Sequence, residues 1–404
     1  MIPAHYLFSC PAGRRLHLGV SGSVAAYKSL DLLRAFTSIG LEVDVSLTSG
    51  ARQFLTPLLF QSLGANVYAG MFAPDADPFG HLRPGQTAAA MLVCPATANI
   101  LAKMAHGLAE DLLSCQALAF SGPLLVAPAM NARMWQSAAT QANISILRQR
   151  GVLCIGPEQG TMACGESGNG RLAASGEIFI QTLRTLIPQD MAGKKVLLTL
   201  GPTREYFDAV RFWSNPSTGQ MGACLAVAAW LRGAQVTAVC GPISLSLPSA
   251  INRHDVQSAA QMFEACHDLW PTMDIGCFSA AVADFAPVPY GPGKFKKEQT
   301  GTEPTFSFQA TRDILRSIGD QKGSRQLIGF AAESTEHLQT NARRKLKQKN
   351  LDLIVANPVD QDGAGFAANS NRVWLLDRAG RSEQLPQLAK TDVAWRIWDW
   401  LRNM

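Results

Sequence analysis

The sequence predicts an α/β protein of two doubly wound domains. Three observations carry this reading: the 404-residue length, the alternation of short apolar runs with helix-length segments, and a second copy of the opening pattern near the midpoint. At roughly 100–200 residues per domain, a chain of this length holds two. Apolar strands spaced by helical segments build parallel βαβ units. In the first half, residues 16–20 read as a strand and 24–39 as a helix, with further strands at 43–47, 91–93, 124–126 and 153–155. The pattern restarts at Gly193-Lys194-Lys195-Val196-Leu197-Leu198-Thr199, where basic residues again lead into an apolar strand and a glycine turn. Residues 187–191 read as the linker before it, which places the domains at 1–190 and 191–404. Strands at 236–239, 275–278, 327–330 and 353–355 follow, and the chain ends in a Trp-rich amphipathic helix near 393–401, whose tryptophans serve packing.

Composition excludes several classes. Hydrophobic residues make up 47% and charged residues 17%, enough for two cores. No apolar run reaches the ~20 residues of a membrane span. The first basic pair, Arg14-Arg15, follows the first apolar stretch instead of preceding it, so the start is not a secretory signal and the protein reads as cytoplasmic. Nine cysteines without a CxxC pair argue for free thiols over a zinc or dithiol site. The net charge of +5 fits a mixed solvated surface, and no basic–aromatic pattern points to nucleic acid.

Ligands of doubly wound sheets gather at the carboxyl ends of the strands, and the Gly-rich and polar segments lie there. Gly19-Val20-Ser21-Gly22-Ser23-Val24-Ala25-Ala26 leaves a strand and opens a helix. Backbone amides at such a start bind phosphate, glycine permits close approach, and Ser21 and Ser23 add hydroxyls. The segment is not GxGxxG and lacks an acidic ribose contact, so a mononucleotide fits better than a dinucleotide. Leu47-Thr48-Ser49, Cys94-Pro95-Ala96-Thr97-Ala98-Asn99 and Pro128-Ala129-Met130-Asn131-Ala132-Arg133-Met134-Trp135 end other strands, and Ala163-Cys164-Gly165-Glu166-Ser167-Gly168-Asn169-Gly170-Arg171 follows.

Together these motifs resemble the homo-oligomeric flavin-containing cysteine decarboxylases over residues 14–180. The resemblance implies a flavodoxin-like domain that binds FMN through Gly22, Ser23, Thr48, Ala96, Thr97, Asn99 and Met130. It makes His81 the group that assists thiol deprotonation, a task suited to imidazole near neutrality. Asn131 would grip the substrate carboxylate, since an amide donates to an anion without protonating it. Cys164 would protonate the ene-thiolate left by decarboxylation, from a mobile glycine-rich flap. His106 and Glu110 have metal-pair spacing but read as a solvated or interface face. After His81 the chain departs from the family pattern, with Leu82-Arg83-Pro84-Gly85.

The second half offers Thr199-Leu200-Gly201-Pro202-Thr203-Arg204-Glu205, Ser214-Asn215-Pro216-Ser217-Thr218-Gly219-Gln220-Met221-Gly222, Ala280-Ala281-Val282-Ala283-Asp284-Phe285, Lys294-Phe295-Lys296-Lys297 and Phe330-Ala331-Ala332-Glu333. These resemble phosphopantothenate–cysteine ligase over residues 193–400. Fused in this order, the halves resemble the bifunctional enzymes of coenzyme A biosynthesis, in which one half makes the other's substrate. The resemblance implies a Rossmann-like ligase domain in which CTP and Mg²⁺ activate 4′-phosphopantothenate as an acyl-cytidylate for attack by cysteine. Nucleotide contacts would come from Ser279, Ala280, Asp284, Lys294, Thr311, Arg312, Asp313, Ile314, Phe330, Lys345 and Lys349. Lys345 and Lys349 stand i, i+4 on one helix face. Asn215 would handle the acyl-cytidylate, with Arg211 supporting its loop; the Mg²⁺ ligands stay unassigned. Gln220 and Ala310 stand where the family has lysines, and Pro216 is unusual after Asn215. These departures keep two alternatives open: a decarboxylase whose ligase-like half has reduced or lost activity, and a non-catalytic FMN-binding regulator. The implied partners are small-molecule substrates and copies of the same chain, in trimer-based assemblies up to a dodecamer.

Overall fold

A computed structural model describes residues 2–9, 13–72, 77–163, 165–291, 293–295, 305–358, 360 and 370–404. The chain divides into two compact units, Met1–Pro188 and Gln189–Met404. No helix among the described residues is long and apolar enough to cross a membrane.

The first unit is built on six strands: β1 (Arg15–Val20), β2 (Glu42–Leu47), β3 (Asn66–Tyr68), β4 (Ala90–Ala96), β5 (Leu124–Pro128) and β6 (Leu153–Cys154). They pair in the order β3-β2-β1-β4-β5-β6, all parallel. Strands covered on both faces need continuous apolar runs, and β4 is buried at every position. Helices α1 (Lys28–Ser38), α2 (Ala98–His106), α3 (Leu112–Ala119), α4 (Ala138–Gln149) and α5 (Ser175–Leu186) accompany the sheet. Thr97 caps α2 by accepting from the Ile100 amide, and Gly107 ends it with φ 70°. Phe36 of α1 stacks on Phe179 of α5 at 5.0 Å between ring centres. A hairpin, β7 (Glu158–Thr161) and β8 (Ser167–Arg171), stands outside the sheet.

The second unit repeats the plan. Its strands are β9 (Lys195–Leu200), β10 (Gln235–Cys240), β11 (Asn252–Asp255), β12 (Ile275–Phe278), β13 (Gln326–Glu333), β14 (Leu353–Pro358), β15 (Trp374–Asp377) and β16 (Ser382–Gln384). The order is β11-β10-β9-β12-β13-β14-β15-β16, parallel through β14 and antiparallel for the last two. Helix α6 (Gln220–Leu231) is buried from Gly222 to its end. It packs on α10 (Lys390–Arg402), whose Trp398 donates its indole N–H to the Leu225 carbonyl at 3.0 Å. Helices α7 (Ala259–Leu269), α8 (Ile314–Asp320) and α9 (Leu338–Gln348) complete the unit.

The expected fold class is thus observed, with the same order of six parallel strands in each unit. Part of the expected linker is tied down. From Gln189 onward it belongs to the second unit, where Asp190 meets Arg232, a guanidinium only 1% exposed. Arg232 Nε and Nη2 donate to the two Asp190 oxygens at 2.8 and 2.7 Å, and Nη1 reaches Asp399 at 2.8 Å. Removing the enclosed guanidinium takes its charge-assisted hydrogen bonds from Asp190, which keeps Arg402, and from Asp399, which is partly exposed. Arg232→Met is therefore expected to lower the stability of the second unit by about 2 kcal/mol in urea titrations.

Candidate functional sites at the two sheet switch points

In sheets of this order the chain reverses its direction of travel between the first and fourth strands, leaving a crevice beyond their carboxyl ends. In the first unit this is where β1 and β4 end. Ser21 is buried there; its hydroxyl donates to the Pro95 carbonyl at 2.7 Å and accepts from the Thr97 amide at 3.0 Å. Ser21 therefore locks the two strand ends together and is not the free phosphate donor that the sequence suggested. Ser23 accepts from the Ala25 amide and opens a 3₁₀ turn, Val24–Tyr27, so α1 proper starts at Lys28. Thr48 accepts from the Ala51 amide at 3.1 Å after β2. A Cβ on Gly22 would lie 2.8 Å from the Gly50 carbonyl carbon, so only glycine lets these two loops approach. Gly22, Ser23, Thr48, Ala96 and Thr97 thus stand at neighbouring strand ends. Asn99 is exposed in the first turn of α2, and Met130, after β5, is half-buried. A narrow cradle of glycine, hydroxyls and a helix start suits the phosphate and ring edge of a mononucleotide such as FMN.

Asn131 follows β5 and caps the short helix Ala132–Gln136. Its Nδ2 donates to Glu166 Oε2 at 2.7 Å, and Arg133 lies 3.4 Å from the other Glu166 oxygen. Glu166 stands in the tip of the β7–β8 hairpin, where the Met162 amide donates to the Glu166 carbonyl. Gly170, at φ 148°, carries its carbonyl to the Met130 amide at 2.9 Å; a Cβ there would collide with the Met130 carbonyl. The hairpin is thus fastened to the Met130–Asn131 turn. Cys164 lies outside the described residues, between Ala163 and Gly165 of this tip.

His81 is half-buried, and no hydrogen bond or ion pair links it to Asn131 or the hairpin among the described residues. Its turn is held from the interior, because Gln116 Nε2 of α3 donates to the Gly80 carbonyl at 2.9 Å. Gln116 Oε1 accepts from Ser46 Oγ at 2.6 Å, and His17 Nε2 lies 2.9 Å from the same hydroxyl. With the serine proton given to Gln116, His17 Nε2 carries the donor hydrogen and the ring is neutral. Its Nδ1 is buried without a partner among the described residues. Burial pushes the His17 pKa from 6.5 down to about 4. The unfolded chain takes up a proton below pH 6.5 that the folded chain refuses until about pH 4, so stability is full above the upper value and falls between the two. The loss amounts to about 3 kcal/mol at pH 4. His17→Gln should flatten this acid slope in urea titrations of the first unit between pH 7 and 4.5; an unchanged slope would refute it.

In the second unit, a cavity of about 490 Å³ opens beyond β9, β12 and β13. The Ala281 amide donates to Gly201 at 2.9 Å and Ser279 Oγ to Thr199 at 2.7 Å, joining the two strand ends as in the first unit. Asn215 Nδ2 donates to the Ala281 and Val282 carbonyls at 3.2 and 3.1 Å. Thr311 Oγ1 donates to the Ala283 carbonyl at 2.6 Å, and Asp313 caps α8. The cavity brings Asn215, Ser279, Ala280, Asp284, Thr311, Arg312, Asp313, Ile314, Phe330, Lys345 and Lys349 together. Lys345 is paired with Glu333 at 2.6 Å and Lys349 with Asp313 at 2.9 Å. Arg312 stacks 3.9 Å from the Phe263 ring centre.

Two expectations change here. Lys294 is exposed and does not line the cavity. Arg211 supports the Lys294 loop instead of Asn215: its Nη1 donates to the Phe295 carbonyl at 3.1 Å and to Asp208 at 3.0 Å, while the Phe295 amide also donates to Asp208. The cavity also includes residues the sequence did not single out, among them Asn371 and the buried Lys390. A lysine in Leu388-Ala389-Lys390-Thr391-Asp392 carries no sequence mark of burial, and the final helix, expected near 393–401, starts earlier, at Lys390.

Two doubly wound units, one with a glycine- and hydroxyl-rich crevice suited to a mononucleotide and one with a cation-lined cavity at the same point of the sheet, define a two-part α/β flavoprotein. Residues 9–186 match the model of the flavoprotein family, and residues 191–404 that of the DNA/pantothenate metabolism flavoprotein C-terminal domain. The chain is 41% identical over 390 residues to the coenzyme A biosynthesis bifunctional protein CoaBC of Bacillus subtilis (strain 168), covering 95% of each. It is 39% identical over 397 residues to the protein of that name from Escherichia coli (strain K12), covering 95% of this chain and 98% of the other. A crystal structure of the C-terminal domain of a CoaBC protein aligns with 52% of this chain and 96% of its own, at 35% identity and a TM-score of 0.45. The chain belongs to the family of coenzyme A biosynthesis bifunctional proteins.

Proposed function

We propose that the chain performs two consecutive steps of coenzyme A formation. The second unit joins 4′-phosphopantothenate to cysteine with CTP, and the first decarboxylates the 4′-phosphopantothenoylcysteine so formed to 4′-phosphopantetheine. The observation that carries the reading is the second-unit cavity, which gathers Asn215, the residue 311–314 turn and Phe330 at the switch point of a sheet. In the ligase step a substrate carboxylate oxygen attacks the α-phosphorus of CTP and pyrophosphate leaves. The cysteine amine then attacks the acyl carbon and CMP leaves. Asn215 is oriented for the second event: its Nδ2 is spent on two carbonyls, and its Oδ1, without a hydrogen bond among the described residues, is left to accept from the amine. Lys345 and Lys349 exchange their carboxylate partners for phosphate oxygens. Mg²⁺ would arrive on the triphosphate, whose oxygens are hard ligands for it.

In the first unit FMN would be held by Gly22, Ser23, Thr48, Ala96, Thr97, Asn99 and Met130. When bound it supplies the two-electron oxidation of the cysteinyl thiol and returns the electrons after carbon dioxide has left. His81 assists thiol deprotonation, Asn131 holds the carboxylate, and Cys164 returns a proton to carbon. We place His81 in the site of an adjacent copy, in a trimer-based assembly acting in the cytoplasm, as the resemblance to the flavin-containing cysteine decarboxylases implies. The test is a coupled assay of the full chain with phosphopantothenate, cysteine, CTP and Mg²⁺. Pyrophosphate and carbon dioxide should appear in equal amounts. No pyrophosphate with any nucleoside triphosphate would defeat the ligase assignment; pyrophosphate without carbon dioxide would defeat the decarboxylase one.

A further inference from the structure

Helix α6 begins on the wall of the second-unit cavity, and its start is bare. Gly219 precedes it at φ 76°, no side chain caps the first turn, and that turn holds no acidic residue. Gly219, Gln220 and Gly222 all line the cavity. The helix brings amides to this wall but no charge, because position 220 is a glutamine.

The charge comes from another element. Lys390 is the first residue of α10, is 4% exposed, and lines the same cavity. It makes no hydrogen bond or ion pair among the described residues, whereas the other three cations of the cavity wall are engaged: Lys345 with Glu333, Lys349 with Asp313, Arg312 with Glu264. Helix α10 packs on α6, and Lys390 lines the cavity together with Gly219, Gln220 and Gly222 of the α6 start. Burying a cation without a partner is costly. Burial accordingly lowers the pKa of its amine. Such a group persists where an anion completes it.

We propose that Lys390 and the uncapped first turn of α6 form one seat for a phosphoryl group of substrate, with Nζ and the helix amides donating to its oxygens. The proposal rests on the ligase reading and adds to it the group that replaces a charge absent from position 220. Two substrates carry the required chemistry, the triphosphate of CTP and the phosphomonoester of phosphopantothenate.

The test is titration calorimetry of the full, FMN-loaded protein with three probes: Mg²⁺–CTP, 4′-phosphopantothenate and inorganic pyrophosphate. Lys390→Met and Lys390→Gln should each weaken at least one probe about 10- to 100-fold, the size expected for a charge-assisted hydrogen bond. Loss confined to CTP and pyrophosphate assigns the seat to the triphosphate; loss confined to phosphopantothenate assigns it to the phosphomonoester. Lys390→Arg should recover part of the affinity. Without ligand, the Met variant should melt no lower than the wild type, because an unpaired buried charge has been removed. Wild-type affinity within about twofold in both neutral variants would overturn the proposal, as would a lowered melting temperature of both without ligand. A wild-type protein that binds none of the three probes would bring down the ligase reading as well, whereas equal binding by wild type and variants would remove Lys390 alone.

Discussion

Gly22→Ala is expected to purify without a flavin. The added methyl group would sit 2.8 Å from the Gly50 carbonyl carbon and 2.9 Å from its Cα, both backbone atoms that no rotamer change can move. The loops after β1 and β2 would have to part, and these loops carry Gly22, Ser23 and Thr48. The FMN dissociation constant should rise at least about tenfold, seen as loss of the yellow colour and of decarboxylation. Gly50→Ala is the control: its Cβ would meet Gly22 Cα at 3.4 Å, an ordinary contact, at a backbone angle φ of −65°. A colourless Gly50→Ala protein alongside a yellow Gly22→Ala protein would reverse the argument. Pyrophosphate release by the second unit should be unchanged in both.

Asn131→Asp is expected to abolish decarboxylation while leaving the ligase step intact. The substitution keeps the shape of the side chain, so packing is spared. It replaces the amide that donates to Glu166 at 2.7 Å by a second carboxylate facing it. Like charges at such a distance repel, and the hairpin tip loses its fastening. The same change sets a negative charge against the carboxylate of the substrate. The rate should fall about 10²–10³-fold, as when a preorganised donor to an anion is removed. Hydrogen exchange over residues 158–171 should rise in parallel. Unaltered exchange with a lost rate would mean that Asn131 acts on substrate alone; an unaltered rate would remove it from the site.

The sheets were legible in the sequence because the central strands are buried and written mostly in apolar residues, with His17, Asp44 and Ser46 as buried polar exceptions in β1 and β2. The runs at 16–20, 43–47 and 275–278 emerge as β1, β2 and β12 with at most one residue added. The helix read at 24–39 begins instead as a 3₁₀ turn, since Ser23 caps at Ala25 and α1 starts at Lys28. Strands β7 and β8 were not legible: Glu158–Thr161 and Ser167–Arg171 are polar and glycine-rich, and their pairing depends on the contact between Gly170 and Met130. Among the site residues, Ser279, Ala280 and Asp284 follow a strand and line the second-unit cavity. Lys294 and Lys390 show the limit. A lysine is written alike whether it ends on the surface or inside a cavity, and only the packing of α10 on α6 separates the two.

The clamp between Asp190 and Arg232 bears on where the chain can be cut. The second family match begins at 191, one residue after the aspartate that satisfies a fully enclosed guanidinium. Arg402, near the other terminus, also reaches Asp190, at 2.6 Å. A ligase fragment expressed from residue 191, or trimmed before Arg402, would discard part of this lock and emerge weaker than the parent for reasons unrelated to catalysis. Fragments meant for separate study should start ahead of Gln189 and keep the final turn of α10.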